Sequence, residues 1–131
     1  MDDNVNHPAH YADTNLCYKE AECIDLTRNL PFCVGNAIKY IWRSGHKGDW
    51  REDLAKAKWY WKDPGCHTTL QEQEKVLFIL DLYDIENSDT EWFLKIKLFR
   101  LIIQDTLIKE KVEKAFHDLE DYFMGKEIGG F

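Results

Sequence analysis

Apolar positions recur along this chain with the period of a helix. Val34, Ile38 and Ile41 fall on one side of a segment near residues 32–44, with Trp42 on its flank. Further on, Trp92, Ile96, Phe99, Ile103, Leu107, Val112, Phe116, Leu119 and Phe123 keep the same spacing, with one slip near 107–112. The pattern predicts a short helix over 20–29 and a second opened by Pro31 at its first position and stopped by Gly45. A third runs from the capping-box-like Asp49-Trp50-Arg51-Glu52 to about Lys62, before Asp63-Pro64-Gly65. Thr69-Leu70-Gln71-Glu72 opens a fourth, ending near Asp84, and Ser88-Asp89-Thr90-Glu91 opens the last region. That region is one long helix or two joined near Gln104–Asp105. No run alternates with period two and no hairpin dipeptide occurs. The expected fold is all-α: a compact bundle of five to six helices with an irregular segment over residues 4–19, where Pro8 forces extended backbone.

Composition changes this picture little. The 131 residues are 44% hydrophobic and 31% charged, with five Trp, six Tyr and seven Phe, as in an ordinary globular domain. No apolar run approaches the roughly 20 residues of a membrane span. The polar start implies no leader, so a cytoplasmic protein with no membrane partner is expected. A single domain over 1–131 is expected.

Charge changes it more. The net charge of −7 argues against a coat for extended nucleic acid. Residues 1–62 carry nine basic and nine acidic side chains, and residues 63–131 carry eight and fifteen. Within 28–62 there are eight basic side chains and three acidic ones. Such a segment suits a confined anion site, or pairs internally with the acidic half.

The helix near 32–44 shows where an anion could sit. At about 100° per residue, Asn36, Lys39, Tyr40 and Arg43 share one stripe opposite the apolar side. An ammonium and a guanidinium can clamp a phosphate, while an amide and a phenol touch a base or sugar. A solvated face is the plain alternative. The following turn, Ser44-Gly45-His46-Lys47-Gly48, is glycine-bounded and basic. It leads into a helix N-terminus, where free N–H groups favour anions. Asp49 competes there as a cap, so Lys47 and His46 would reach a phosphate from the side. Asp53, Lys56 and Tyr60 share a stripe on the next helix, with Asp53 expected to pair with Lys56.

His7, His10 and Tyr11 lie in the irregular segment, as phosphate donors, proton carriers or a structural strap. Cys17, Cys23, Cys33 and Cys66 form no C-x-x-C pair and read as reduced, partly buried thiols. Glu22 and Asp25, three apart on a helix, could hold Mg²⁺ through oxygen or pair with Lys39 or Arg43.

Five blocks taken together resemble a known pattern: Asn6-His7-Pro8-Ala9-His10-Tyr11, Glu22-Cys23-Ile24-Asp25, the run from Gly35 through Arg43, Gly45-His46-Lys47, and the run from Asp53 through Tyr60. Over residues 4–62 the chain is similar to a small domain family of unannotated function widespread in tailed phages. That family includes a nucleotide kinase of a short-tailed coliphage that lacks a P-loop and phosphorylates dTMP and dGMP. The resemblance implies a phage origin, a nucleotide ligand, and a site of His7, His10, Tyr11, Asn36, Lys39, Tyr40, Arg43 and Lys47. His46 departs from the family's pattern, and the acidic half over 66–131 has no counterpart in it.

A nucleoside monophosphate kinase is therefore the leading expectation. Lys39 and Arg43 would act on the phosphoryl group, Lys47 and Lys56 would help bind it, and Glu22 or Asp25 would hold Mg²⁺. The sequence itself has no Walker A motif and no kinase-type glycine loop. A non-catalytic protein that sequesters a host defence nucleotide needs the same pocket without metal carboxylates. An all-α nucleoside triphosphate pyrophosphatase would need facing acidic pairs such as Asp81/Asp84 and Glu110/Glu113. The long amphipathic C-terminal region favours a homo-oligomer.

Overall fold

The computed structural model describes residues 22–86, 89–105 and 107–129, the side chains of 85 and 86 excepted. The described residues form six helices and no strand: α1 (Cys23–Thr27), α2 (Phe32–Arg43), α3 (Trp50–Trp61), α4 (Leu70–Glu86), α5 (Thr90–Ile103) and α6 (Lys109–Glu127). The all-α expectation holds. The long C-terminal pattern is two helices, broken where Asp105 takes a left-handed φ of 54°. Two contacts pin that break: Thr68 Oγ1 donates to Ile103 O at 2.7 Å, and His67 Nδ1 donates to the Asp105 carboxylate at 3.1 Å.

Helix ends follow side-chain chemistry. Thr69 and Glu72 form a reciprocal capping box at 2.8 and 3.1 Å. Asp89 caps α5 by accepting from Trp92 N at 2.9 Å. Asp49 caps α3 by accepting from Arg51 N, while Glu52, the expected partner in a box, bonds Lys56 instead. Pro31 precedes α2 as its N-cap: its ψ of 161° is extended, and its carbonyl accepts the first helical bond from Gly35 N at 2.8 Å. The Gly45 stop is present, with φ 83°.

The helices α2 and α3 form an antiparallel hairpin. Phe32 at the start of α2 meets Tyr60 near the end of α3, and Arg43 at its end meets Asp53 near the start. Val34, Ala37, Ile38 and Ile41 bury one side of α2, and Leu54, Ala57 and Trp61 that of α3. Fully burying each large aliphatic side chain contributes roughly 1.5–3 kcal/mol. The core continues through Leu80, Leu98, Phe99, Ile103, Phe116 and Leu119.

The helix α6 lies antiparallel to α3 and carries the acidic answer to its basic face. Arg51 bonds Glu127 at 2.7 Å, Lys58 bonds Glu120 at 2.9 Å, and Lys62 lies 3.7 Å from Glu113. Trp50 on Phe123 and Trp61 on Phe116 fill the space between. No helix among the described residues is long and apolar enough to cross a membrane.

Candidate functional site

The polar stripe of α2 faces α3 and builds a surface of rings and cations. Tyr40 stacks on Tyr60 with centroids 6.0 Å apart and planes within 9°. Lys39 Nζ lies 4.9 Å from the Tyr40 centroid and Lys56 Nζ 5.4 Å. Two ammonium groups thus share one phenol ring, a favourable cation–π geometry. Lys56 also bonds Glu52 at 3.0 Å, and that hydrogen bond and charge raise its pKa above the ordinary value.

Arg43 stands at the turn end of this surface. Its Nε lies 3.3 Å from Asp53 Oδ1. Asp53 therefore pairs across the hairpin and not with Lys56, as sequence spacing suggested. The Asp53 side chain is 2% exposed, and its Oδ2 has no hydrogen-bond partner among the described residues. Such an atom is costly to bury, so the salt bridge to Arg43 does not exhaust what this carboxylate can accept.

Neither Lys39 nor Lys47 has a carboxylate within ion-pair distance among the described residues. The other basic residues of the hairpin have partners: Arg43 pairs with Asp53 and Lys56 with Glu52 inside it. Arg51, Lys58 and Lys62 are answered by α6. Asn36, half-buried, and Lys39 also line a recess of about 250 Å³ with Thr27, Pro31, Phe32 and Gly35.

The other expected residues lie elsewhere. His7, His10 and Tyr11 fall outside the described residues. Asp25 Oδ2 accepts from Glu22 N at 2.9 Å, so this pair closes the start of α1. Among the described residues no group of three His, Cys, Asp or Glu side chains gathers to hold a metal ion. Asp81 and Asp84 both bond Arg100, at 2.6 and 3.1 Å, and Glu113 is the partner of Lys62. Burial pushes the Cys23 thiol up to about 12 and the Cys66 thiol up to about 11, which leaves both poor nucleophiles near neutral pH.

The turn between α2 and α3 is held from the far half of the chain. Lys95 of α5, fully buried, donates to Trp42 O at 3.0 Å, Ser44 O at 2.7 Å and Glu91 Oε2 at 2.8 Å. Glu91 in turn accepts from His46 Nε2. His46 therefore serves the turn's shape, while Lys47 stays exposed beside it. This clamp was missed in the sequence. Its signal is a lysine in register with the apolar face, three residues after Trp92 and four before Phe99, with Glu91 one turn back. Phe32 and Trp59 were missed too, although Phe32 lies four residues before Asn36 and Trp59 three after Lys56.

A family model for proteins of unknown function, DUF3310, matches residues 5–62. The match spans the N-terminal segment and α1 to α3, which includes the whole ring-and-cation surface, and α4 to α6 lie outside it. No curated protein and no solved structure matches the chain.

Proposed function

We propose that the α2–α3 surface binds a nucleotide, with phosphate held by Lys39, Arg43, Lys47 and Lys56 and the base or sugar contacted by Asn36 and Tyr40. The observation that carries this reading is the placement of Lys39 and Lys56 over the Tyr40 ring, while Arg51 and Lys58 of α3 turn away to Glu127 and Glu120 of α6. Arg43, oriented by Asp53, supplies a guanidinium for charge-assisted hydrogen bonds.

Phosphoryl transfer is a second reading, favoured by one observation. The stripe contains a buried carboxylate, Asp53, with one oxygen unpartnered among the described residues. A kinase of this kind would depend on Asp53.

A thermal-shift screen of the full chain against dTMP, dGMP and ATP, with Mg²⁺ or with EDTA, tests both readings. Ligands that bind the native state raise the midpoint. A shift that persists in EDTA and fails in Lys39→Ala supports binding. ATP turnover that requires dTMP or dGMP, and that is lost in Asp53→Asn, supports the kinase. No shift with any nucleotide overturns both.

A further inference from the structure

Two large rings on this surface take no part in the reading above. Phe32 is 75% exposed and Trp59 is 68% exposed. They are not scattered apolar residues, because both rest on Tyr60. Phe32 meets it at 6.0 Å and 80°, Trp59 at 5.1 Å and 89°. The contacts are edge to face, and most of each side chain stays in solvent.

Cations stand beside both rings. Lys39 follows Phe32 by seven residues on the same face of α2, and Lys56 precedes Trp59 by three on α3. Both ammonium groups converge on Tyr40, the ring stacked on Tyr60. The surface is thus two exposed rings on Tyr60 and, on the neighbouring Tyr40, two cations, of which Lys56 is also paired with Glu52. A nucleoside monophosphate has one base and leaves one ring uncovered.

The geometry points to a ligand with two nucleobases joined by a phosphodiester, one base on Phe32, the other on Trp59, and the linking phosphate between Lys39 and Lys56. This inference rests on the nucleotide reading of the same surface and names its ligand class. Asn36, in the wall of the recess beside Phe32, offers its amide to the edge of one base. Two sources share this chemistry, a free dinucleotide and a step within a single strand. The rings favour the first. Phe32 and Trp59 are the two exposed rings that meet Tyr60 among the described residues, and Lys58 turns away from them to Glu120 of α6.

The test is calorimetric titration of the full chain at low salt with mononucleotides (dTMP, dGMP), their 5′-phosphorylated dinucleotides, and twelve-residue thymidylate. Stacking of one further base on an aromatic ring makes a dinucleotide about tenfold tighter than its mononucleotide. Phe32→Ala and Trp59→Ala each abolish that gain, and both rings are exposed enough that thermal midpoints of the variants stay close to the parent. The twelve-residue strand gains no more than its extra binding registers. Equal affinity for mono- and dinucleotides overturns this inference and leaves the nucleotide reading standing. A strand that binds about a hundredfold tighter than the dinucleotide overturns the two-base limit. No binding by any probe overturns the nucleotide reading itself.

Discussion

Lys95 Nζ lies 2.7 Å from the Ser44 carbonyl oxygen, so a buried cation on α5 closes the C-terminus of α2. The end of a helix presents unpaired carbonyls and partial negative charge. Lys95 answers two of those carbonyls and is neutralised by Glu91, one turn back on its own helix. Lys95→Ala removes the donor, opens a cavity and strands Glu91. We expect a loss of about 3–5 kcal/mol in urea unfolding, as for one broken partner of a buried pair. The Glu91→Gln, Lys95→Met double variant should lose less than the two single changes combined. A cycle with no coupling would show that the two side chains act independently.

Acid should act through the same pair. Burial pushes the Glu91 carboxyl up, but the hydrogen bonds and charges of Lys95 and His46 outweigh it and hold the group below its ordinary 4.5. Between that lowered value and 4.5 the unfolded chain binds a proton that the folded chain refuses. Folding therefore loses stability as pH falls through this interval. Burial also depresses Lys95, with Glu91 offsetting part of the effect, so its contribution likewise grows less favourable on acidification from the alkaline side. Denaturation midpoints measured from pH 7 to 3 should fall less steeply in Glu91→Gln than in the parent. Identical slopes would remove Glu91 from the acid response.

What could be read from the sequence was periodic and local. The 3.6-residue spacing of Val34, Ile38 and Ile41, with Gly45 after them, marked α2 and its polar stripe to within a residue at each end. The capping box of Thr69 and Glu72 forms as its spacing requires. What could not be read came from contacts between helices. Asp53 has Lys56 as a neighbour on its own helix, yet Arg43 reaches it across the turn. Sequence spacing reports the first kind of neighbour and not the second. Lys95 was hidden for a different reason. A lysine usually points to water, and only the three α2-end and α5 acceptors waiting inside the core make its burial tolerable.

Gly45 is fixed by both its backbone and its neighbour. Its φ is 83°, and a Cβ there would lie within the Phe123 ring, 2.8 Å from Cζ. Gly129 has a similar φ of 75°, and a Cβ there meets nothing within 4 Å. Gly129→Ala should therefore cost only the left-handed backbone, about 1–2 kcal/mol. Gly45→Ala adds a clash with α6 and should cost clearly more, with movement of the turn that carries His46 and Lys47. Equal losses in thermal unfolding would mean that Phe123 yields freely and does not hold the turn.

The basic residues differ by partner: Lys58 is held by α6, Arg43 by Asp53 inside the hairpin, and Lys39 has no carboxylate in ion-pair distance among the described residues; this gives the sharpest test of the site. Lys39→Ala and Arg43→Ala should each weaken nucleotide binding by about 1–3 kcal/mol, the scale of a lost charge-assisted hydrogen bond. Lys58→Ala removes the same formal charge from the same hairpin, but that side chain turns away to α6, where it bonds Glu120 at 2.9 Å. Its effect on binding should stay within about 0.5 kcal/mol, as for an ordinary surface substitution. Arg43→Lys keeps the charge and loses the planar fork, so it should resemble Arg43→Ala more than the parent if Asp53 sets the angle of the guanidinium. Asp53→Asn should then weaken binding through Arg43 while Lys39→Ala remains additive with it. Equal weakening by Lys58→Ala and Lys39→Ala would mean that only the overall field attracts the ligand, and that the surface around Tyr40 makes no direct contact with its phosphate.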